Sequence, residues 1–407
     1  MKICNVVQRY PPAVGGSETW CQEVSRYVAK QGNEVSVLTL DVDREEEFWR
    51  DPPPEDCILR FGPCNYDGDI FVRRYHRSIP NHTVYHTVYK FLDKALGLYF
   101  YGPHSFEMYG DMSERINASD IVHTHTIPYP HNFISYLKGK ISGKPVIITP
   151  YFHPNHPHYE RKAFYLLQKR CDAIITLSQY EKDYLAKKGV PRDKIFVTGA
   201  GVHPENYNIE KSASLDNKLL SYGIDDSTII VTFIGRKTDY KGVDLLIGAA
   251  KKILTCRKDI KFLLIGPSFS WFDQLYQTLS SEEREYIIDV GYISDQEKIN
   301  ILHRSNILCL PSKFESFGIV YLEAWLCNTP VIGSDQGAQP SVIEEDGLIF
   351  KYGDTNDLME KILYLIDNEN VAASMAKNGR KKVLERYTWD KIGEEVLDVY
   401  EIVLNQI

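Results

Sequence analysis

The chain has little of what marks several protein classes. No apolar run approaches the length needed to cross a bilayer. The eight cysteines are Cys4, Cys21, Cys57, Cys64, Cys171, Cys256, Cys309 and Cys327, with no C-x2-C pair and no zinc-ribbon spacing among them. Several fall in apolar segments, where a thiol acts as a small hydrophobe, so a reduced, cytoplasmic protein is expected. Basic charge is in deficit, with 47 Lys and Arg against 55 Asp and Glu. The resulting net charge of −8 argues against a nucleic-acid partner, which needs a basic surface. The G-x-G-x-x-G fingerprint of dinucleotide enzymes is missing, and so are short repeats and low-complexity tracts. The opening run Met1-Lys2-Ile3-Cys4-Asn5-Val6-Val7 is soon broken by Arg9-Tyr10-Pro11. It reads as a buried strand, not a signal peptide.

What is present is an α/β rhythm. The 407 residues are enough for two full cores, at a composition usual for globular proteins. Apolar runs alternate with helical patterns, the mark of parallel α/β units. The first half offers strands at Lys2–Gln8, Glu34–Leu40, Asp120–His125, Pro145–Phe152, Ala173–Ser178 and Ile195–Gly199. The second offers Thr228–Gly235, Lys261–Gly266, Ile287–Tyr292, Asn306–Pro311, Pro330–Ser334 and Gly347–Phe350. Polar sequence from Pro204 to Ser227 divides them. The expected domains are 1–205 and 206–387, followed by an amphipathic tail, 388–407.

The densest cluster is Glu315-Ser316-Phe317-Gly318-Ile319-Val320-Tyr321-Leu322-Glu323, two carboxylates with seven residues between them. It follows the strand ending near Leu310 and opens a helix, so it lies where open α/β sheets bind ligands. Gly318 permits close backbone approach, and the free N–H groups from Phe317 to Ile319 suit an anion. Glu323, one turn in, can accept from sugar hydroxyls. Gly15-Gly16-Ser17-Glu18 stands at the corresponding place after the first strand, with Ser17 also an N-cap candidate. Arg236 and Lys241 share one strand-to-helix loop and are suited to neutralising a diphosphate. His123 and His125 lie two apart on a strand, on one face. A metal pair there lacks a third ligand at a suitable spacing.

Glu315-x7-Glu323 with its internal Phe-Gly, followed by Leu322-Glu323-Ala324 and Thr329-Pro330-Val331, resembles the donor signature of the retaining GT-B glycosyltransferases of family 4. The likeness is weakest between Asp41 and Asn117. It implies two Rossmann-like α/β domains facing each other across a cleft, with the tail 388–407 crossing back to the first. It further implies that Arg236, Lys241 and the amides near Gly318 bind the diphosphate, with no metal or other cofactor. Glu323 would hold the ribose and Glu315 the donor sugar, while the turn at Gly15 and Gly16 would touch the donor phosphates. His153, in Thr149-Pro150-Tyr151-Phe152-His153, matches the family histidine that faces the donor sugar; His156 and His158 crowd it. His123 and His125 match a string near the acceptor. Ala200, His203 and Ala338 depart from the family pattern.

The expected activity is transfer of a hexosyl group from a UDP- or GDP-linked sugar to a glycan or lipid-linked acceptor, in polysaccharide, glycolipid or glycoprotein-glycan synthesis. Two alternatives share the architecture: a nucleotide-sugar epimerase and a non-catalytic sugar-nucleotide-binding subunit. Residues 71–101 hold Arg73-Arg74-Tyr75-His76-Arg77 and an aromatic stretch. They suggest either peripheral contact with the inner face of the membrane or an apolar helix beside a solvated basic loop.

Overall fold

The computed structural model describes residues 1–42, 64–78, 91, 102–154, 158–208 and 219–406. These divide into two compact units, Met1–Ala200 with Trp389–Ile407, and Gly201–Thr388. The division falls a few residues before the 205/206 position read from composition. The 3-10 turn Pro204–Tyr207 therefore belongs to the second unit, where Tyr207 is buried.

The first unit has strands β1 (Lys2–Val6), β2 (Glu34–Leu40), β3 (Cys64–Asp67), β4 (Ile70–Tyr75), β5 (Ile121–His125), β6 (Val146–Thr149), β7 (Ala173–Thr176) and β8 (Ile195–Val197). Their order is β3-β4-β2-β1-β5-β6-β7-β8, parallel except for the β3–β4 hairpin. Helices α1 (Gly16–Lys30), α2 (Phe106–Ala118), α3 (His131–Ile141), α4 (Lys162–Arg170) and α5 (Gln179–Lys187) accompany it. The central strands are continuous apolar runs because both faces are covered. Val146–Thr149 and Ala173–Thr176, for example, are buried at every position.

The second unit has β9 (Ile229–Ile234), β10 (Ile260–Ile265), β11 (Ile287–Gly291), β12 (Ile307–Leu310), β13 (Val331–Ser334) and β14 (Leu348–Phe350). Their order is β11-β10-β9-β12-β13-β14, all parallel. Its helices are α6 (Val243–Ile253), α7 (Ser270–Gln277), α8 (Ser281–Tyr286), α9 (Asp295–Arg304), α10 (Ile319–Leu326), α11 (Gln339–Ile343), α12 (Thr355–Asp367) and α13 (Glu369–Arg386). Capping boxes start α8 and α9, Ser280 with Glu283 and Ser294 with Glu297. The last helix, α14 (Trp389–Leu404), packs on α1 of the first unit. It buries Trp389, Ile392, Val396, Val399, Tyr400 and Val403, a helical stripe.

The expectation for 71–101 is corrected in part. Arg73 and Arg74 lie on β4, a strand the sequence reading missed. Arg74 is 4% exposed and donates to the Pro11 carbonyl at 2.6 Å and to Asn65. Arg73 pairs with Asp111 at 3.2 Å and leans on the Tyr75 ring. Both are tied into the first unit rather than lying in a solvated loop. Residues 79–90 and 92–101, with His82 and His86, lie outside the described residues. No helix among the described residues is long and apolar enough to cross a membrane.

Candidate functional site

In an open parallel sheet, ligands bind where neighbouring strands send their connections to opposite sides. In the second unit that switch lies between β9 and β12, since β9 continues to β10 on one side and β12 to β13 on the other. The loop after β9 carries Arg236 and Lys241; the loop after β12 carries Glu315, Phe317 and Gly318. The two are stitched together. Lys313 donates its backbone N–H to the Tyr240 carbonyl at 2.7 Å. Lys241 Nζ donates to Glu315 Oε2, also at 2.7 Å. Gly242, at φ 69°, allows this closeness: a Cβ there would sit 2.0 Å from the Pro311 carbonyl oxygen. Arg236 is exposed beside the Tyr240 ring.

Glu323 is the one charged residue of an apolar helix, Ile-Val-Tyr-Leu-Glu-Ala-Trp-Leu, and is 8% exposed. Such a carboxylate needs a partner. Lys298 of α9 supplies it, donating to Glu323 Oε1 at 2.9 Å, and also pairs with Asp295 at 3.1 Å. Burial works against the Lys298 cation, but Glu323 and Asp295 outweigh it, and its pKa ends above the ordinary lysine value. Glu323 Oε2 is buried without a hydrogen bond. Tyr207 lies close enough that, after burial itself, the Glu323 charge is what most raises the phenol. α10 starts at Ile319 with Gly318 as its N-cap, at φ 88° and with no side-chain cap.

The Phe317 side chain is turned inward, 2% exposed and edge-on to Tyr387 at 5.3 Å. The loop is braced by buried Gln339. Its amide nitrogen donates to the Ser312 carbonyl and Ser334 Oγ, each at 2.7 Å, and its oxygen accepts from the Tyr321 hydroxyl at 2.6 Å. A second brace is Lys237, fully buried, which donates to Asp289 and lies 4.9 Å from the Phe272 ring centre.

In the first unit the switch lies between β1 and β5. Gly15 is the N-cap of α1 and Gly16 its first residue, so Ser17 is not the cap. Glu18, 1% exposed, folds back over this start, taking Ser17 Oγ–H at 2.8 Å and pairing with Arg9 at 2.7 Å. A Cβ on Gly15 would meet that carboxylate at 2.2 Å, so the glycine makes room for it. A negative group thus already lies at this helix start. Glu18 stood within the quoted Gly-Gly-Ser-Glu string; Arg9 had no spacing signal.

His123 and His125 do not line a surface. They are 0% and 1% exposed, with ring centres 4.0 Å apart. His123 shares hydrogen bonds with the Tyr400 hydroxyl at 2.7 Å and Thr149 Oγ1 at 2.8 Å; His125 Nε2 lies 2.9 Å from Asn5 Oδ1. Burial pulls His123 down to about 3 and His131 to about 4, and holds His125 well below the ordinary histidine value. All three are neutral. His153 is half-buried past β6, edge-on to Tyr159 at 5.1 Å; His156 lies outside the described residues.

Among the described residues no group of three His, Cys, Asp or Glu could hold a metal ion. Two Asp-x-Asp strings occur. Asp43 of Asp41-Val42-Asp43 lies outside the described residues, and Asp67 of Asp67-Gly68-Asp69 is engaged by Arg26, Gln22 and Tyr10.

Residues 216–382 match the family described as Glycosyl transferases group 1, and residues 14–206 match Glycosyltransferase Family 4. The chain belongs to glycosyltransferase family 4. An uncharacterised glycosyltransferase of Methanocaldococcus jannaschii is 23% identical, with 100% of both chains covered. The N-acetyl-α-D-glucosaminyl L-malate synthase of Bacillus anthracis is 24% identical over 97% of this chain and 95% of its own. Among solved structures, Anabaena Alr3699/HepE in complex with UDP has a TM-score of 0.74 at 16% identity, covering 98% of this chain and 100% of its own. The fold is that of the GT-B glycosyltransferases. Lys298, Tyr207, Gln339 and Lys237 are the second-unit residues that sequence reasoning missed. Only Lys298 had a local signal: it follows the Ser294–Glu297 capping box by one position, on the helix start that box predicts.

Proposed function

We propose that this glycosyltransferase moves a hexosyl group from a UDP- or GDP-linked sugar to an acceptor hydroxyl, with retention of configuration and without a metal ion. The observation that carries this is the β9–β12 switch point. It places a lysine, a carboxylate and the uncapped start of α10 together, with a second, buried carboxylate one turn further on.

Arg236, Lys241 and the amides opening α10 hold the diphosphate and take up the charge that grows on it as the glycosidic bond breaks. Glu315 pairs with Lys241 until a donor arrives, then holds sugar hydroxyls. Glu323, fixed by Lys298, accepts from the ribose. His153 acts at the sugar ring. The bond from the anomeric carbon to the β-phosphate oxygen breaks, and its electron pair leaves with the diphosphate. The acceptor oxygen bonds to the same face of the sugar, and its proton goes to the leaving phosphate oxygen. The name of the Bacillus anthracis relative includes L-malate and the Anabaena structure holds UDP. The acceptor choice therefore starts with a glycan or lipid-linked hydroxyl and extends to small hydroxy acids.

Labelled UDP- and GDP-sugars, incubated with glycan extract, lipid extract or small hydroxy acids in excess chelator, test this. Transfer with release of nucleoside diphosphate is expected. Isomerised donor without acceptor would identify an epimerase. Binding without turnover would identify a non-catalytic subunit. Complete, reversible loss on chelation would overturn the metal-free mechanism.

A further inference from the structure

The loop that carries His153 is held by a residue outside every reaction signature of the sequence. Glu181, on α5 of the first unit, is 1% exposed. Its Oε1 accepts the Phe152 N–H at 2.8 Å and its Oε2 the Leu177 N–H at 3.0 Å. Phe152 directly precedes His153, and Leu177 follows β7. One buried carboxylate therefore joins the loops leaving two adjacent strands, β6 and β7.

The loop it holds is conformationally unusual. Tyr151 is buried and aromatic, yet its φ is 47°, in the left-handed region that such residues avoid. Backbone of this kind persists only where its surroundings over-determine it, and it gathers at functional sites. The Tyr151 ring is edge-on to Trp20 at 6.1 Å, and its hydroxyl lies 3.4 Å from the Ser17 carbonyl at the start of α1. Glu181 adds a restraint on the next residue, Phe152.

Ser178-x-x-Glu181 has capping-box spacing, and half of the box forms: Ser178 Oγ accepts the Glu181 N–H at 3.3 Å. The carboxylate reaches past its own helix start, to Leu177 and across to Phe152. Burial pushes the carboxyl up to about 8 against the pull of the two amides. Its placement therefore weakens the fold at neutral pH, and such local costs tend to mark function.

We propose that Glu181 is a positioning residue for His153, fixing the loop after β6 so that the imidazole is presented in one orientation to the donor sugar. This rests on the role given to His153 above. The two oxygens of a carboxyl serve two N–H donors, and in the protonated form the hydroxyl oxygen keeps lone pairs for one of them. An amide of the same shape has one acceptor oxygen and sets its NH2 against the second donor.

Turnover of Glu181→Gln, His153→Ala and the double variant tests the assignment, with calorimetry of UDP and GDP alongside. Glu181→Gln lowers kcat on the order of 10- to 100-fold, the scale of a small misplacement of a reacting group. Nucleotide affinity stays within about twofold, because that site is built from the second unit. In the His153→Ala background Glu181→Gln causes no further loss, since the two act as one. Multiplying losses in the double variant, or full kcat in Glu181→Gln beside a weakened His153→Ala, overturns the proposal. Full turnover in His153→Ala removes the histidine from the reaction, and the proposal falls with that reading. If the Gln variant does not fold, amide hydrogen exchange in the natural protein decides. Protected Phe152 and Leu177 amides support the clamp; exchange of both at exposed-loop rates overturns it.

Discussion

The two units treat buried polarity in opposite ways. In the second, ionised side chains meet ionised partners: Lys241 with Glu315, Lys298 with Glu323, Lys237 with Asp289 and Lys382 with Asp346. In the first, His123, His125 and His131 are buried neutral, bonded to a phenol, a threonine, an asparagine amide and a carbonyl. Glu181 is served by two amides and no cation. Exceptions run both ways: Arg9 pairs with Glu18 and Arg73 with Asp111 in the first unit, and Gln339 carries a neutral network in the second. On the function proposed above, the contrast follows from task. A site for a doubly charged diphosphate needs fixed cations, and those cations need counter-charges while the site waits. A buried neutral network imposes orientation without attracting an ion.

The largest break in this contrast comes from removing a phosphate cation. Lys241→Ala and Arg236→Ala should each lower turnover by about 10²–10³, the usual cost of losing one preorganised group opposite developing charge. Steady-state rates with whichever sugar nucleotide the transfer assay selects check this, and full activity in both removes the diphosphate assignment. Next in size is Lys298→Met, which leaves Glu323 buried without its cation. Stripping one partner from such a pair costs about 3–5 kcal/mol, discounted here for partial exposure. Urea unfolding should show that loss together with weaker nucleotide binding; unchanged stability would mean that Glu323 is not dependent on its partner.

The smallest effect is in pH, and it belongs to the first unit. Its buried histidines have folded pKa values below their unfolded ones, so their stabilisation is present above about 6.5 and is lost as pH falls toward 4 and 3. Glu181 works the other way. Raised from 4.5 to about 8, it keeps its proton only when folded, so its contribution declines as pH rises between those values. Thermal melts across pH should therefore show a narrow optimum. Glu181→Gln should flatten its alkaline side and leave the acid side unchanged. An acid side that stays flat would contradict the neutral burial of the histidines.

Much of the fold was legible because buried parallel strands are short apolar runs. Glu34–Leu40 has its expected bounds, and Val331–Ser334 is one residue shorter than expected. The β3–β4 hairpin was not legible. Ile-Phe-Val-Arg-Arg-Tyr hides a strand behind two arginines whose partners, Asp111, Asn65 and Pro11, are remote or irregular in sequence. The loops after β9 and β12 were legible because Gly242, Gly318 and the paired carboxylates are local. Partners brought in by other elements were not: Lys298 reaches Glu323 from 25 residues away, and Tyr400 reaches His123 from 277. Spacing put His123 and His125 on one face of a strand and the resemblance set them near the acceptor, but alternation by itself gives only the shared face. That this face is covered is a tertiary fact.

The central claim is that the second unit holds a nucleoside diphosphate with its two carboxylates in separate roles. Calorimetry of UDP and GDP with Glu323→Gln and Glu315→Gln, beside turnover of the intact donor, tests it most directly. Glu323→Gln should weaken binding of the preferred nucleotide by roughly 1–3 kcal/mol, the value of a charged hydrogen bond. Glu315→Gln should leave that affinity nearly unchanged and lower donor turnover instead. Equal losses of nucleotide affinity in both variants would contradict the division of roles, and unchanged binding and turnover in both would contradict the site itself.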